Sequence, residues 1–290
     1  MTAEPCLGTI TGRPRALLLG AGDRPHVLEE ARRLRPAIEE QVELVLTDFE
    51  GKEDLTNVEA DLAIVLGGDG SILRAAKQMG HKQLPILGMN LGKLGFLAAL
   101  SPGELLTVLP DVCAGRCKVL EHLMFQCQVL REGQVIAEQL GLNEAAVLAG
   151  PPFRMLNVDL CVDGELATTY ACDGLIVSTP IGSTAHSLSA GGPILRQTLS
   201  AFVICPISPH TLTVRPVVDS ADRVYEMHVA DPNEGTTAVV DGREVCRLTG
   251  ADRVRVARAE PTFRLIEVQG RSYYRTLRDK LGWAGNIYRN

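Results

Sequence analysis

The spacing of apolar and polar positions changes character once along the chain, near residue 117. Before that point, short apolar runs alternate with helix-like patterns. Residues 16–19 form an apolar run that ends at Gly20-Ala21-Gly22. Val27, Leu28, Ala31, Leu34 and Ile38 then recur at helical spacing and predict a helix over 27–41. A short strand is predicted over 42–46. Leu62–Leu66 is apolar at every position and predicts a strand buried on both faces. A helix over 72–79, a strand over 86–89 and a helix over 104–112 follow. Strand–helix alternation of this kind predicts a parallel sheet with helices on both faces.

From 118 to 268 the helical patterns almost vanish. Strand-like runs are separated by Arg131-Glu132-Gly133, Asp163-Gly164 and Asp241-Gly242, which are hairpin turn signals. Residues 156–162 and 253–256 show partial alternation. This part predicts an all-β sandwich or barrel-like layer. Residues 272–281 return to a charged, helix-like pattern that could pack back on the first domain. The expected organisation is an α/β domain over 1–117, an all-β domain over 118–268 and a helical segment over 269–290. No internal repeat or low-complexity linker separates them.

A chain of 290 residues, 46% hydrophobic and 22% charged, is long enough for two domains with sizeable cores. Aromatic residues make up 4%, which argues against a stacking surface for single-stranded nucleic acid. A net charge of −6 argues against a basic nucleic-acid footprint. A small anionic ligand, which needs only local donors, stays open. Residues 1–15 lack the basic and apolar regions of a secretory signal, and no apolar run is long enough to span a bilayer. No membrane partner is expected. Of eight cysteines only Cys113 and Cys117 lie close together, and no Cys-x-x-Cys pair suggests structural zinc. Scattered cysteines fit reduced thiols and a cytoplasmic location.

Two segments carry the chemistry. Gly67-Gly68-Asp69-Gly70-Ser71 follows the apolar run 62–66 and opens a helix, where free N–H groups and the helix dipole favour phosphate. It lacks the Lys-Ser or Lys-Thr ending of a Walker A loop. Leu73 also breaks the dinucleotide fingerprint G-x-G-x-x-G. Asp69 would repel a phosphate unless it binds a divalent metal or accepts a proton from a substrate hydroxyl; the alternative is a helix cap. Residues 173–193, DGLIVSTPIGSTAHSLSAGGP, run from an apolar strand into a turn rich in glycine and hydroxyls, suited to backbone lying against a polar ligand. Between the two lie Asn90-Leu91-Gly92-Lys93-Leu94-Gly95-Phe96-Leu97, at the end of a predicted strand, and Asn143-Glu144, where the Asn could match an adenine edge or simply form a turn. His186 could hydrogen-bond or stack on a ring, and His210 could tie down a loop. Neither has metal-ligand neighbours. Gly182-Ser183-Thr184-Ala185 is not a nucleophile elbow.

Together these blocks resemble the NAD kinase family over about residues 62–241, in the family's order. The resemblance covers GGDG, N-x-G-x-L-G-F, the Asn-Glu pair, DGLIVSTP-x-GSTA-x-S-x-SAGGP, the PISPHTLTVRP region and the Asp241-Gly242-Arg243 turn. It implies transfer of phosphate from ATP, or polyphosphate, to the 2′-hydroxyl of the adenosine ribose of NAD, giving NADP. It also implies an N-terminal α/β domain and a C-terminal β domain with the site between them, Mg²⁺ or another divalent metal, and a homo-oligomer, dimer or tetramer, whose sites borrow residues from a neighbour. Asp69 becomes the catalytic carboxylate, with Gly68 and Gly70 shaping the phosphate loop. Asn143 and Glu144 contact adenosine, and Asp173 a ribose or the nicotinamide end. Thr184 and Ala185 line the adenine pocket with His186 and Ser189, Asp241 lies near the acceptor, and Lys93 lies near the ligand. The chain departs from the family's usual residues at Ser71 (Thr), Ile181 (Thr or Ser) and His186 (Tyr). The rival expectations are another GGDG kinase acting on a lipid or sugar, and a non-catalytic NAD(P) sensor.

Overall fold

In the computed structural model, which describes residues 12–92, 95–267 and 273–282, the chain begins with an α/β layer. Its elements are β1 (Arg15–Gly20), α1 (Pro25–Gln41), β2 (Glu43–Asp48), β3 (Leu62–Leu66), α2 (Asp69–Met79), β4 (Ile86–Met89), α3 (Pro102–Cys113) and β5 (Lys118–His122). β3 pairs in parallel with β1 and β4, and β1 with β2. The expected burial of β3 on both faces holds at every residue. On one face Leu62, Ile64 and Leu66 meet Val27, Ala31, Leu34 and Ile38 of α1 and Leu105, Leu109 and Val112 of α3. On the other, Ile72 of α2 stands against Gly88 of β4. α3 is started by a capping box, in which Glu104 accepts the Ser101 N–H at 2.8 Å.

The chain then forms twelve strands: β6 (Phe125–Arg131), β7 (Gln134–Gly141), β8 (Glu144–Leu148), β9 (Leu156–Val162), β10 (Glu165–Cys172), β11 (Gly174–Ser178), β12 (Ala201–Ile207), β13 (Val217–Ser220), β14 (Tyr225–His228), β15 (Thr237–Val240), β16 (Arg243–Arg247) and β17 (Asp252–Arg258). A single helical turn, α4 (His186–Ser189), interrupts them after β11. They make two six-stranded sheets, ordered β10-β9-β14-β17-β6-β7 and β13-β12-β11-β8-β15-β16. Phe125, Val129, Val158, Tyr225 and Val254 of the first sheet pack against Val147, Leu175, Val177, Phe202 and Val240 of the second, so this unit is a sandwich. The rings of Phe202 and Tyr225 meet edge to face across it, 5.7 Å between centroids. The outer face of the second sheet is also covered, with Ile176, Val203 and Cys205 packing on Leu195. All three turn signals form hairpin turns whose central residues take positive φ: Glu132-Gly133, Asp163-Gly164 and Asp241-Gly242.

Two last elements, β18 (Phe263–Glu267) and α5 (Tyr273–Leu281), return to the α/β layer, where β18 lies between β4 and β5. The compact units are therefore Met1–Glu121 with Phe263–Asn290, and His122–Thr262, rather than units parting at 117 and 268. The shift arises because β5 and β18 complete the first sheet. Among the described residues six cysteines are free thiols, as expected of scattered cysteines, but Cys117 is disulfide-bonded, a departure from that expectation. No described helix is long and apolar enough to cross a membrane.

An ion pair ties two neighbouring strands of the first sheet of the sandwich. The buried Asp252, at the start of β17, accepts two hydrogen bonds from Arg131 of β6, at 2.7 and 2.8 Å, and two from Thr249. The guanidinium holds this carboxyl below its ordinary 3.8, as do the Thr249 bonds, against the opposing effect of burial. The stabilisation is thus complete above the unfolded value and lost as pH falls below it. Asp252→Ala is expected to cost about 1–3 kcal/mol at pH 7. The gap between the urea midpoints of the two proteins should begin to narrow as pH falls below about 3.8 and close only below the lowered folded value; a gap that does not narrow at all as pH falls would show that the loss is packing, not charge.

Candidate functional site

The end of β3 turns sharply into α2 through Gly67 and Gly68, so Asp69 is the first helical residue. Its carboxylate faces the 95–98 loop. Oδ2 accepts the Phe96 N–H at 2.8 Å, and Oδ1 accepts those of Leu97 and Ala98 at 3.0 and 2.9 Å. A Cβ on Gly95 would overlap Asp69 Oδ1, so only glycine lets the loop approach this closely. Asp69 is therefore not a cap for its own helix; it closes a separate loop. Gly68 and Gly70 border open space. Beside them lies a cleft of about 180 Å³ lined by Arg24, His26, Gly67, Gly68, Asp69, Asn90, Gly92, Gly95 and Lys280. Lys93 lies outside the described residues. Arg24, His26 and Lys280 were not singled out from the sequence. Lys280 sits in the charged, helix-like stretch 273–281, and nothing local links it to the distant glycine turn.

The second unit gathers its candidates at one corner of the sheet containing β8, β11 and β15. Asp241, at φ 48°, accepts the N–H groups of Leu142, Asn143 and Glu144 at 2.9, 2.7 and 3.2 Å. The Asn143 carbonyl accepts the Thr179 N–H at 2.8 Å. A Cβ on Gly182 would overlap that carbonyl, so this glycine too is required by close approach. The hydroxyls of the turn mostly serve its own backbone: Thr179 donates to Leu142 O at 2.6 Å, Ser183 to Pro180 O at 2.6 Å and Thr184 to Ile181 O at 3.0 Å. Ile181 is buried, so its lack of a hydroxyl is a packing choice. Thr184 and Ala185 are half-buried and His186 and Ser189 exposed.

Glu144 is buried, and its Oε2 has no hydrogen-bond partner among the described residues. Burial pushes its carboxyl up to about 7, the Asp241 charge adds to this, and the His186 backbone N–H opposes it. That contact uses the main chain, so it is indifferent to histidine standing where tyrosine is usual. Asp173 is not part of this corner. It precedes β11, whereas Glu144 pairs with Ser178 at the other end, about 17 Å away at ~3.4 Å per residue. His210 is also elsewhere; its N–H donates to Ala171 O at 2.9 Å. Among the described residues no three His, Cys, Asp or Glu side chains converge on a metal position.

An α/β layer with an acid held at a glycine turn, joined in one chain to a β-sandwich with a polar corner, is the architecture of two-unit nucleotide kinases of the GGDG type. Residues 26–117 match the ATP-NAD kinase N-terminal domain and residues 142–268 the ATP-NAD kinase C-terminal domain. The chain is 57% identical over 274 residues to an NAD kinase of Rhodopirellula baltica, covering 94% of this chain and 88% of that one. It is 40% identical to an NAD kinase of Geobacter sulfurreducens, covering 88% and 90%. Among solved structures it is similar to an NAD kinase of Archaeoglobus fulgidus in complex with ATP (TM-score 0.71, 28% identity, 92% and 97% covered). Its fold is also that of yeast NADH kinase complexed with NADH (TM-score 0.86, 22% identity, 96% and 90% covered). The chain belongs to the NAD kinase family.

Glu144→Gln tests the protonation of the corner. A carboxyl raised from 4.5 to about 7 holds its proton when folded but loses it when unfolded, so its contribution falls as pH rises from 4.5 to 7. The variant should exceed the parent in stability by about 1–3 kcal/mol at pH 8. The advantage should vanish near pH 4, read by thermal melts at both pH values. A pH-independent difference would refute the raised value.

Proposed function

We propose that the chain catalyses the reaction of its family, transfer of the γ-phosphate of ATP to the 2′-hydroxyl of the adenosine ribose of NAD, yielding NADP. The observation that carries this reading is the state of Asp69. A carboxylate offers about four acceptor positions, and backbone N–H groups fill three of them. The remaining one, on Oδ2, suits a single donor such as a ribose hydroxyl. Gly68, Gly70 and the start of α2 offer N–H groups to the donor's phosphates. Asn143 and Glu144, held by Asp241, contact the adenosine. Thr184, Ala185, His186 and Ser189 border its ring.

The donor set does not make a resident metal cage, since Asp69 is saturated on one oxygen and no carboxylate cluster exists among the described residues. Magnesium belongs to this reading as part of the nucleotide substrate, carried on its phosphates. Asp173, at the far end of β11, serves the substrate of a neighbouring subunit, so the working form is a homo-oligomer. A cytoplasmic location accompanies this reading. The rival sensor reading has less support, because NAD binding alone does not call for an acid held at a phosphate turn.

NADP formation from NAD, ATP and magnesium is the test. Asp69→Asn replaces an acceptor by an amide donor that faces one of the loop N–H groups, and turnover should fall by about 10²-fold or more. Near-normal turnover in the variant would remove Asp69 from the reaction. Absence of NADP with wild-type protein that binds NAD would favour the sensor.

A further inference from the structure

The cleft beside Asp69 has an unusual charge balance. Three cationic or titratable basic side chains line it: Arg24 from the turn before α1, His26 from the first turn of α1, and Lys280 from α5. None of the three is in an ion pair with a carboxylate among the described residues. The one acid in the cleft, Asp69, is compensated by three N–H donors. An open cleft with this balance favours a polyanion.

Lys280 is the informative member. It comes from the last described helix, which is anchored to its unit by the buried Leu277 one turn earlier. The side chain is exposed, and its ammonium lies 4.7 Å from the centroid of the Phe96 ring. Phe96 is the residue whose N–H donates to Asp69 Oδ2 at 2.8 Å. The helix's acid, Asp279, is engaged by Arg275 at 3.8 Å, which leaves Lys280 uncommitted. Of the cations on α5, Lys280 alone lines the cleft. A lysine is a flexible point charge, and the ring narrows where that charge can sit. An ammonium at the edge of this cleft, beside the ring of a residue whose backbone N–H is held by the acid of the cleft, is placed for electrostatic contact with an incoming oxyanion.

We infer that Lys280 is a donor-binding residue: α5 delivers its ammonium to the phosphates of the nucleotide donor, with Arg24 facing the same anion. This rests on the proposed phosphotransfer at Asp69, and it adds the C-terminal helix to the site. The ring–ammonium contact is weak at an exposed position, so the lysine can leave Phe96 for a phosphate at little cost.

The experiment compares Lys280→Met, Lys280→Arg and, as a control on the same helix, Arg278→Ala. Met keeps the aliphatic stem over Phe96 and removes only the charge. Initial rates are measured against ATP at saturating NAD and against NAD at saturating ATP. Binding of inorganic tripolyphosphate is measured by calorimetry on each protein. Lys280→Met should raise KM for ATP about tenfold or more and weaken tripolyphosphate to a similar degree, leaving KM for NAD unchanged. Lys280→Arg should restore most of both, and Arg278→Ala should change neither. An unchanged KM for ATP with unchanged tripolyphosphate binding would overturn the inference. So would equal changes in both KM values, or the same effect from Arg278→Ala, because these report a helix that is merely structural. If the wild type forms no NADP, the calorimetric comparison still judges Lys280, so failure of the phosphotransfer reading and failure of this inference are separable.

Discussion

Asp241 takes a left-handed backbone conformation, and its carboxylate collects three successive N–H groups, those of Leu142, Asn143 and Glu144. Asp69 does the same for Phe96, Leu97 and Ala98. Both serve backbone in connections between elements, residues 142–144 from the link after β7 to the first residue of β8 and residues 96–98 between β4 and α3, where donors lack a ladder partner and must be satisfied some other way. A charged acceptor makes each such bond short and strong. One carboxylate per unit thus fixes the backbone of a loop, while the buried side chains of Leu97 and Ala98 in one loop and Leu142 in the other anchor it by packing. The arrangement also has an electrostatic consequence. Glu144 is gathered into a buried position beside the Asp241 charge, and two carboxylates so placed are both ionised only at a cost. A carboxyl that titrates at about 7 relieves it.

Much of this was legible in the chain because the signals are local. Leu62–Leu66 contains no polar residue, and only a central strand covered on both sides accommodates that. Glu132-Gly133, Asp163-Gly164 and Asp241-Gly242 announce positive φ at two successive residues, so the hairpins could be placed before the sheets were known. The helix over Val27, Ala31, Leu34 and Ile38 followed from spacing alone. What escaped was decided by contacts between distant segments. Nothing in Phe263–Glu267 distinguishes a strand of the sandwich from one that rejoins the first sheet beside β4. Nothing in 273–281 marks Lys280 as different from Arg278, since both are exposed cations on one helix. Asp173 belonged to the same motif as Thr184, yet the intervening strand carries the two to opposite ends of a sheet. Sequence adjacency was there a poor guide to spatial adjacency.

The role left for Asp69 follows from how its lone pairs are spent. A carboxylate already accepting three N–H groups is held rigid and is a hydrogen-bond acceptor for one more group. Phosphoryl transfer asks little of a base, because its transition state is loose and the nucleophile's proton can leave late. What the reaction does need is a hydroxyl fixed in line with the γ-phosphate, and in the proposed reading a fixed acceptor with one further position would supply that. The three N–H donors also offset the negative charge that, under the proposed phosphotransfer, would otherwise repel an incoming phosphate. The same bonds that shape the 95–98 loop therefore compensate the acid that lines the cleft, and Gly95, which lets the backbone come close enough to form them, is as necessary to the arrangement as the acid itself.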